Sequence, residues 1–193
     1  MNEPHAIGLN LNIGCGFRRV RDFINVDKQA LCNPDVLLDV ETSAWPWADN
    51  SAVKVLFNHS LEHMGADPEV FINILKEVYR VCRPDATVQI NAPHPRHDHF
   101  LTDPTHVRPI TPQLFSLFDL DQNRQWLDDG AANTPLAIYA SVNFRITNVT
   151  VLFTDFYLQQ RTIGAISEQQ LRRLLLERNN IAREYQIELR VIK

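Results

Sequence analysis

The segment between residues 53 and 90 restricts the fold most, because it has the pattern of a strand, a helix and a second strand. Residues 53–57 and 87–90 are short apolar runs of the kind that form strands. Between them, Asp67 can cap a helix and Pro68 suits its first position. An apolar stripe at helical spacing follows, formed by Val70, Phe71, Ile74, Leu75, Val78 and Tyr79. Such a unit predicts parallel strands in one sheet with a helix packed on its face.

Earlier apolar runs predict further strands at residues 7–13, 23–26 and 36–38. In the first run, apolar residues alternate with polar residues or glycine, the apolar set being Ile7, Leu9, Leu11 and Ile13. This alternation is too regular for a strand that is buried on both faces. We therefore expect Asn10 and Asn12 to have hydrogen-bond partners or to face solvent.

The last third of the chain adds strands of another kind. Between residues 142 and 153 the apolar phase slips by one residue near Thr147 and Asn148, which indicates a turn or a bulge. Ser167 and Gln170 have the spacing of a capping box, and residues 185–191 alternate like a half-exposed antiparallel strand. The whole pattern predicts an α/β protein with a Rossmann-like, doubly wound, mainly parallel sheet and an antiparallel C-terminal strand.

A segment rich in proline and histidine, residues 93–134, separates the two halves. A connection of this length inside a compact domain usually has a function. Thr111 and Pro112 favour a short helix within it. We predict one domain over residues 1–193, in which residues 93–134 form an inserted lid or substrate segment.

Composition disfavours several classes of protein. The chain carries 19 basic and 23 acidic side chains, a net charge of −4, which disfavours a nucleic-acid partner. No apolar run approaches the ~18 residues of a membrane span, and residues 1–5 do not resemble a signal peptide. The 3 cysteines are too few for a disulfide framework. We therefore expect a cytoplasmic protein that has no membrane partner.

Open parallel sheets bind ligands beyond the carboxyl ends of their strands. The residues at these predicted ends are Gly14, Cys15, Gly16, Asp27, Asp39 and residues 58–63. A dinucleotide-binding turn needs a third glycine, but Arg19 stands at that position. Asp27 also follows Gly16 sooner than the ~20 residues of that fingerprint. A nicotinamide dinucleotide is therefore not favoured.

Five motifs in order resemble those of the class I S-adenosylmethionine-dependent methyltransferases. They lie at residues 11–16, 25–27 with 38–40, 45–51, 60–64 and 79–84, and together they cover residues 9–93. The resemblance implies that Gly14, Cys15 and Gly16 line the methionine part of S-adenosylmethionine. It also implies that Asp27 accepts both ribose hydroxyls, a role that suits a carboxylate. The remaining residues expected to bind the cofactor are Asp39 near the adenine, with Glu41 close enough to compete, and Asn58 and His59.

Methyl transfer to oxygen or nitrogen requires alignment of the acceptor and usually the removal of one proton. Histidine suits that proton transfer near neutral pH. The candidates are the histidines of the lid segment, which follow the fifth strand: His94, His97 and His106, with His99 beside them. The expected reaction is methylation of a small-molecule acceptor.

Two other interpretations remain open from the sequence. The chain could be a non-catalytic descendant of the fold that binds cofactor or protein, because Phe17, Arg18 and Arg19 replace the usual further glycine of the first motif. It could also be a metal-dependent hydrolase that uses residues 97–99 and 103–106. The metallo-β-lactamase-like signature would need aspartate and histidine where Leu101 and Thr102 stand. We therefore assign no metal site from the sequence.

Overall fold

A computed structural model describes residues 8–193 and contains one seven-stranded sheet. Its strands are β1 (Leu9–Ile13), β2 (Ile24–Asp27), β3 (Val36–Leu37), β4 (Ala52–Asn58), β5 (Cys82–Pro93), β6 (Phe144–Phe153) and β7 (Ala182–Val191). Their order is β3-β2-β1-β4-β5-β7-β6. The pairs from β3 to β5 are parallel, whereas β7 pairs antiparallel with both β5 and β6. The predicted Rossmann-like sheet with an antiparallel C-terminal strand is confirmed.

The α-helices are α1 (Pro68–Val81), α2 (Asp98–Leu101), α3 (Pro112–Ser116), α4 (Leu120–Asp128), α5 (Leu136–Ala140), α6 (Asp155–Thr162) and α7 (Glu168–Glu177). Asp67 caps α1 by accepting a hydrogen bond of 2.7 Å from the Glu69 N–H. Both hydrogen bonds of the predicted capping box are present between Ser167 and Gln170 at the start of α7. The sequence signals for these two helices are confirmed.

The apolar core lies on one face of the sheet. Side chains from neighbouring strands meet there in register, among them Leu11, Ile13, Val55, Phe57, Val88, Ile90, Ile187 and Leu189, all almost fully buried. Phe71 of α1 lies with its ring centroid 6.5 Å from that of Phe118, which follows α3. The second half of the lid segment therefore belongs to the core, because it packs together with α1.

The opposite face of the sheet has no such layer near β1. The connections β1–β2, β2–β3 and β3–β4 contain no α-helix, so the second helical layer of a doubly wound sheet is missing there. The Asn12 amide donates to Asn25 Oδ1 at 2.9 Å, and the Asn10 amide donates to the Asp22 carbonyl at 3.2 Å. These bonds explain the polar alternation of β1, whose predicted first residue, Ile7, lies outside the described residues.

The phase slip near Thr147 is a β-bulge, as predicted. The register of β6 against β7 shifts between Ile146 and Asn148, and the Thr147 hydroxyl donates to the Glu188 carboxylate at 2.9 Å.

All three cysteines are free thiols. Among residues 8–193, no helix is both long enough and apolar enough to cross a membrane.

Candidate functional site

Two adjoining clefts open at the carboxyl edge of the sheet. The first cleft has a volume of about 410 Å³ and is lined by the ends of β1 and β2, residues 38–41 and the turn after β4. The second cleft, of about 640 Å³, lies between the β1 turn, residues 58–63, the lid segment and the start of β7. Both clefts are lined by Gly14, Gly16, His59 and His63. A ligand in the first cleft can therefore reach into the second.

The two glycines at the end of β1 have different surroundings. Gly14 has a φ of +66°, and a Cβ there would lie only 2.6 Å from Ser60 Cβ. The Ser60 hydroxyl in turn donates to the Ile13 carbonyl at 2.7 Å, which holds this contact in place. Gly16 has a φ of +50°, but a Cβ there would meet no atom within 4 Å. Gly14 thus allows close packing, whereas Gly16 leaves space in the clefts.

Cys15, between these glycines, is a packed residue. It is buried, and its N–H donates to the Val26 carbonyl at 2.9 Å. Burial raises the pKa of the Cys15 thiol, and the nearby Asp27 adds to the effect. A protonated, buried thiol is a poor nucleophile. Cys15 lines the second cleft but not the first.

Asp27 lies at the end of β2 and lines the first cleft. Its Oδ2 accepts a hydrogen bond from the Gly16 N–H, and its Oδ1 accepts one from the Gln29 N–H, both at 2.8 Å. Each carboxylate oxygen can accept more than one hydrogen bond. The backbone therefore fixes the orientation of this carboxylate and still leaves it acceptor capacity for a ligand.

Asp39 and Glu41 both line the first cleft but have different partners. Glu41 accepts from the Gly65 N–H at 2.9 Å and from the Lys28 ammonium at 3.0 Å. Although burial acts to raise it, the pKa of Glu41 is lowered, because these two donors favour the ionised form. Asp39 Oδ1 accepts from the Glu41 N–H at 3.1 Å. Among residues 8–193, Asp39 Oδ2 has no donor, so Asp39 is the freer acceptor of the two.

Two of the three predicted catalytic histidines, His94 and His97, line neither cleft. His94 is buried, with Nε2 at 3.1 Å from the Tyr185 hydroxyl and Nδ1 accepting from the Arg96 N–H. Burial, with Arg96 and His97 nearby, lowers the pKa of His94 to about 4. His97 caps α2 by accepting from the His99 N–H at 3.0 Å. Both side chains hold the lid segment in place.

His106, the third candidate, lines the second cleft beside His63. The ring Nδ1 of His106 lies 2.9 Å from the Phe100 carbonyl, which can only accept a hydrogen bond. The ring Nδ1 of His63 lies 2.9 Å from Thr105 Oγ1, whose own proton is donated to Asp103 at 2.6 Å. These partners place a proton on each Nδ1 in the neutral rings and leave a lone pair on each Nε2. Burial also lowers the pKa of His63, with His106 adding to the effect.

Glu62 is the most unusual group in the site. Its side chain is 1% exposed, and neither carboxylate oxygen has a hydrogen-bond partner among the described residues. Among the described residues, the His59 ring lies near this carboxylate, with Nδ1 3.7 Å from Glu62 Oε1 and Nε2 2.8 Å from Glu184 Oε2. Burial, followed by repulsion from Glu184 and Asp103, raises the pKa of Glu62 to about 7. A buried polar group without a partner is costly, and a bound ligand can remove that cost.

No role was predicted from the sequence for Glu62, and no catalytic role for His63. An acidic residue next to a histidine before a helix usually lies in solvent, so the local pattern gave no signal. Burial of Glu62 follows from the short 3₁₀ turn Leu61–His63 and from the lid segment above it.

Asn58, predicted to bind cofactor, accepts from the Asn91 amide at 3.1 Å and lines the second cleft only. His59 lines both clefts.

Comparison with solved structures shows many proteins with the same architecture. An S-adenosylmethionine-dependent methyltransferase from Archaeoglobus fulgidus superposes with a TM-score of 0.61, at 18% identity, over 96% of this chain and 86% of that one. One from Thermotoga maritima gives 0.51 at 16% identity, over 96% and 82% of the two chains. A 16S rRNA (adenine(1408)-N(1))-methyltransferase from Catenulisporales acidiphilia gives 0.51 at 14% identity, over 97% and 87%.

No protein-family model matches the sequence, and no curated protein matches it either. The similarity therefore lies in the three-dimensional fold, at identities of 14–18% that establish the fold alone. The chain has the Rossmann-like fold of the class I S-adenosylmethionine-dependent methyltransferases.

Proposed function

We propose that this protein is an S-adenosylmethionine-dependent methyltransferase that methylates an oxygen or nitrogen atom of a small-molecule acceptor. The observation that carries the proposal is the first cleft, in which a fixed carboxylate, Asp27, faces the same space as the glycine turn after β1. A ribose diol offers two hydroxyl donors, and a carboxylate oriented by backbone N–H groups suits them. The fold similarity supports the same assignment.

The cofactor occupies the first cleft in this proposal. Asp27 accepts the ribose hydroxyls, and Asp39 lies by the adenine with apolar contacts from Leu38 and Val40. The methionine end runs over Gly14 and Gly16 toward the second cleft, where Arg18 can pair with its carboxylate. S-adenosylmethionine has no phosphate, so the absence of a phosphate-binding glycine motif from residues 14–19 agrees with this ligand.

The acceptor occupies the second cleft, which places it next to the sulfonium methyl group at the junction of the clefts. Bound there, S-adenosylmethionine would supply the methyl group: a bond from the acceptor atom to the methyl carbon would form as the carbon–sulfur bond breaks. The products would be the methylated acceptor and S-adenosylhomocysteine, and the proton that the acceptor loses would pass to water in the cleft. Alignment of the two substrates supplies most of the acceleration. Of the three predicted bases, only His106 lines this cleft.

The lining of the second cleft favours a small polar acceptor. It contains three carboxylate side chains, Glu62, Asp103 and Glu184, against the two guanidinium groups of Arg18 and Arg183. Nucleic-acid backbones need a surplus of basic groups, and the chain as a whole has a net charge of −4. We therefore propose a small molecule, although one protein of similar fold acts on rRNA.

Calorimetric titration with S-adenosylhomocysteine tests the proposal. We expect one binding site in the wild-type protein and loss of measurable heat in Asp27→Ala. Asp128→Ala is the matched control, because Asp128 is an exposed carboxylate at the end of α4. Absence of binding to the wild type at high micromolar ligand would refute the proposal. A second assay incubates the protein with S-adenosylmethionine and small amines, phenols or carboxylic acids as acceptors. If the protein binds S-adenosylhomocysteine in calorimetry but forms none in this assay, the protein is the non-catalytic descendant of the fold.

A further inference from the structure

We propose that Glu62, His63 and His106 bind a divalent transition-metal cation at the junction of the two clefts. One carboxylate oxygen and one ring nitrogen from each histidine lie within 4.8 Å of one another. A carboxylate with two imidazoles is a common ligand set for zinc and related cations, and it leaves coordination positions open. All three side chains line the second cleft.

The hydrogen bonds around the two histidines orient them as metal ligands. A histidine that binds a metal through one nitrogen usually donates the other N–H to a carbonyl or carboxylate. His106 does so to the Phe100 carbonyl, whereas His63 donates to the Thr105 hydroxyl, which in turn donates to the Asp103 carboxylate. The remaining ring nitrogens are Nε2 atoms with lone pairs.

Glu62 provides the second, independent observation. Its carboxylate is 99% buried, lines the cleft and lacks a hydrogen-bond partner among the described residues. His59 Nδ1, at 3.7 Å, is too distant for a hydrogen bond. A cation bound to Glu62 Oε1 or Oε2 supplies the partner that the protein does not.

The cluster is held together before any ligand binds. The backbone N–H groups of Val107 and Arg108 both donate to the Glu62 carbonyl, at 2.9 and 3.2 Å, which ties the lid segment to the turn after β4. The His63 and His106 rings lie 4.5 Å apart, and Phe100 stacks on His106 at 5.2 Å. The lid therefore supplies one ligand to a site whose other two ligands follow β4.

No metal site was assigned from the sequence, and the rival hydrolase would use residues 97–99 and 103–106. Of those residues, only His106 belongs to the cluster. His99 lines the second cleft, but His97 does not, and neither belongs to the cluster. The role of the cation rests on the proposed function. The coordination positions that the protein leaves open face the second cleft, where the acceptor is proposed to bind. The acceptor therefore has an oxygen or nitrogen atom that can bind the metal.

The test is metal binding by the 193-residue chain in the absence of cofactor. Chelator-treated protein is titrated with Co²⁺ and, separately, Zn²⁺ and Mg²⁺, and binding is followed by visible absorption for Co²⁺ and by calorimetry for all three. We expect one equivalent of Co²⁺ and Zn²⁺ and much weaker binding of Mg²⁺, which prefers oxygen ligands. Glu62→Gln and His106→Ala should each weaken binding by more than the ~10–100-fold that loss of an outer-shell partner costs.

His99→Ala is the matched control, because it removes an exposed histidine from the same cleft without touching the cluster. Wild-type affinity in His99→Ala, with weak binding in both ligand variants, supports the proposal. Equal binding by wild type and His106→Ala, or loss of binding in His99→Ala alone, overturns it. Circular dichroism identifies a variant that does not fold, and His63→Asn then replaces it.

Titration of the metal-free wild type with S-adenosylhomocysteine separates the two proposals. Cofactor binding without metal binding refutes the metal site alone. Metal binding without cofactor binding refutes the methyltransferase and leaves the metal site.

Discussion

Alanine substitutions at the two glycines after β1 should have opposite principal effects. A side chain at Gly14 would collide with Ser60 at 2.6 Å and with Met64 at 2.9 Å. A side chain at Gly16 would meet no protein atom, but it would project from a residue that lines both clefts. We therefore expect Gly14→Ala to reduce stability most and Gly16→Ala to reduce cofactor affinity most.

The magnitudes follow from the geometry of each position. Both glycines have a positive φ, which costs an alanine ~1–2 kcal/mol. The collision at Gly14 adds the ~1–3 kcal/mol of an overpacked site. The free energy of unfolding should therefore fall by ~2–5 kcal/mol in Gly14→Ala and by ~1–2 kcal/mol in Gly16→Ala. For a domain of this size the corresponding decreases in Tm are roughly 4–20 °C and 2–8 °C.

Urea unfolding followed by circular dichroism measures the stability of both variants, and calorimetry with S-adenosylhomocysteine at 10 °C measures affinity while each is folded. We expect Gly16→Ala to bind at least about tenfold more weakly, equivalent to ~1.4 kcal/mol. If Gly16→Ala is the less stable variant, or if it binds S-adenosylhomocysteine as tightly as wild type, the assignment of Gly14 to packing and of Gly16 to cofactor binding is wrong.

Three further predictions concern binding and stability. Asp27→Asn keeps the shape of the side chain but loses its charge, so affinity for S-adenosylhomocysteine should fall by the ~1.5–3 kcal/mol of a charged hydrogen bond, measured by calorimetry against Asp128→Asn. Arg80 donates to Glu77 and to the Trp45 carbonyl at 2.8–3.0 Å, so Arg80→Met should lower the free energy of unfolding in urea by about 1.5–3 kcal/mol, and an unchanged midpoint contradicts this. The Arg80 hydrogen bond also lowers the pKa of Glu77 below 4.5. Ionised Glu77 therefore contributes fully to the free energy of unfolding above pH 4.5, and this contribution is lost as the pH falls through the lower pKa of the folded state. The difference in stability between wild type and Glu77→Gln should shrink in acid.

Much of the fold was predictable because its signals are local. Asp67 and Pro68 begin α1 where the capping pattern places them, and the slip near Thr147 is a bulge. Asn12 indicated that a helical layer is missing near β1, because its amide would lack hydrogen-bond partners between two apolar layers. The carboxyl edge of the sheet was predictable for the same reason, since Gly14 directly follows β1 and Asp27 ends β2.

The candidate site was less predictable, because its unusual groups depend on contacts between distant residues. Glu62 becomes buried only because the lid segment returns to its backbone through Val107 and Arg108. His94 and His106 both belong to the lid segment, yet His94 packs on Tyr185 and His106 lines the second cleft. Which histidine reaches the site depends on the path of the lid segment, which no periodicity describes.

The lack of a helical layer on one face of the sheet beside β1 has a consequence for how the strands align. A slip of one residue in β1 would turn Leu11 and Ile13 toward the polar face and press Asn12 into the core. In a strand covered by helices on both faces, a slip of one residue does not exchange apolar for polar side chains, because both faces of the strand carry apolar side chains. The loss of the helices beside β1 therefore makes the alignment of Gly14 with the end of β4 more strictly determined, at the point where both clefts meet.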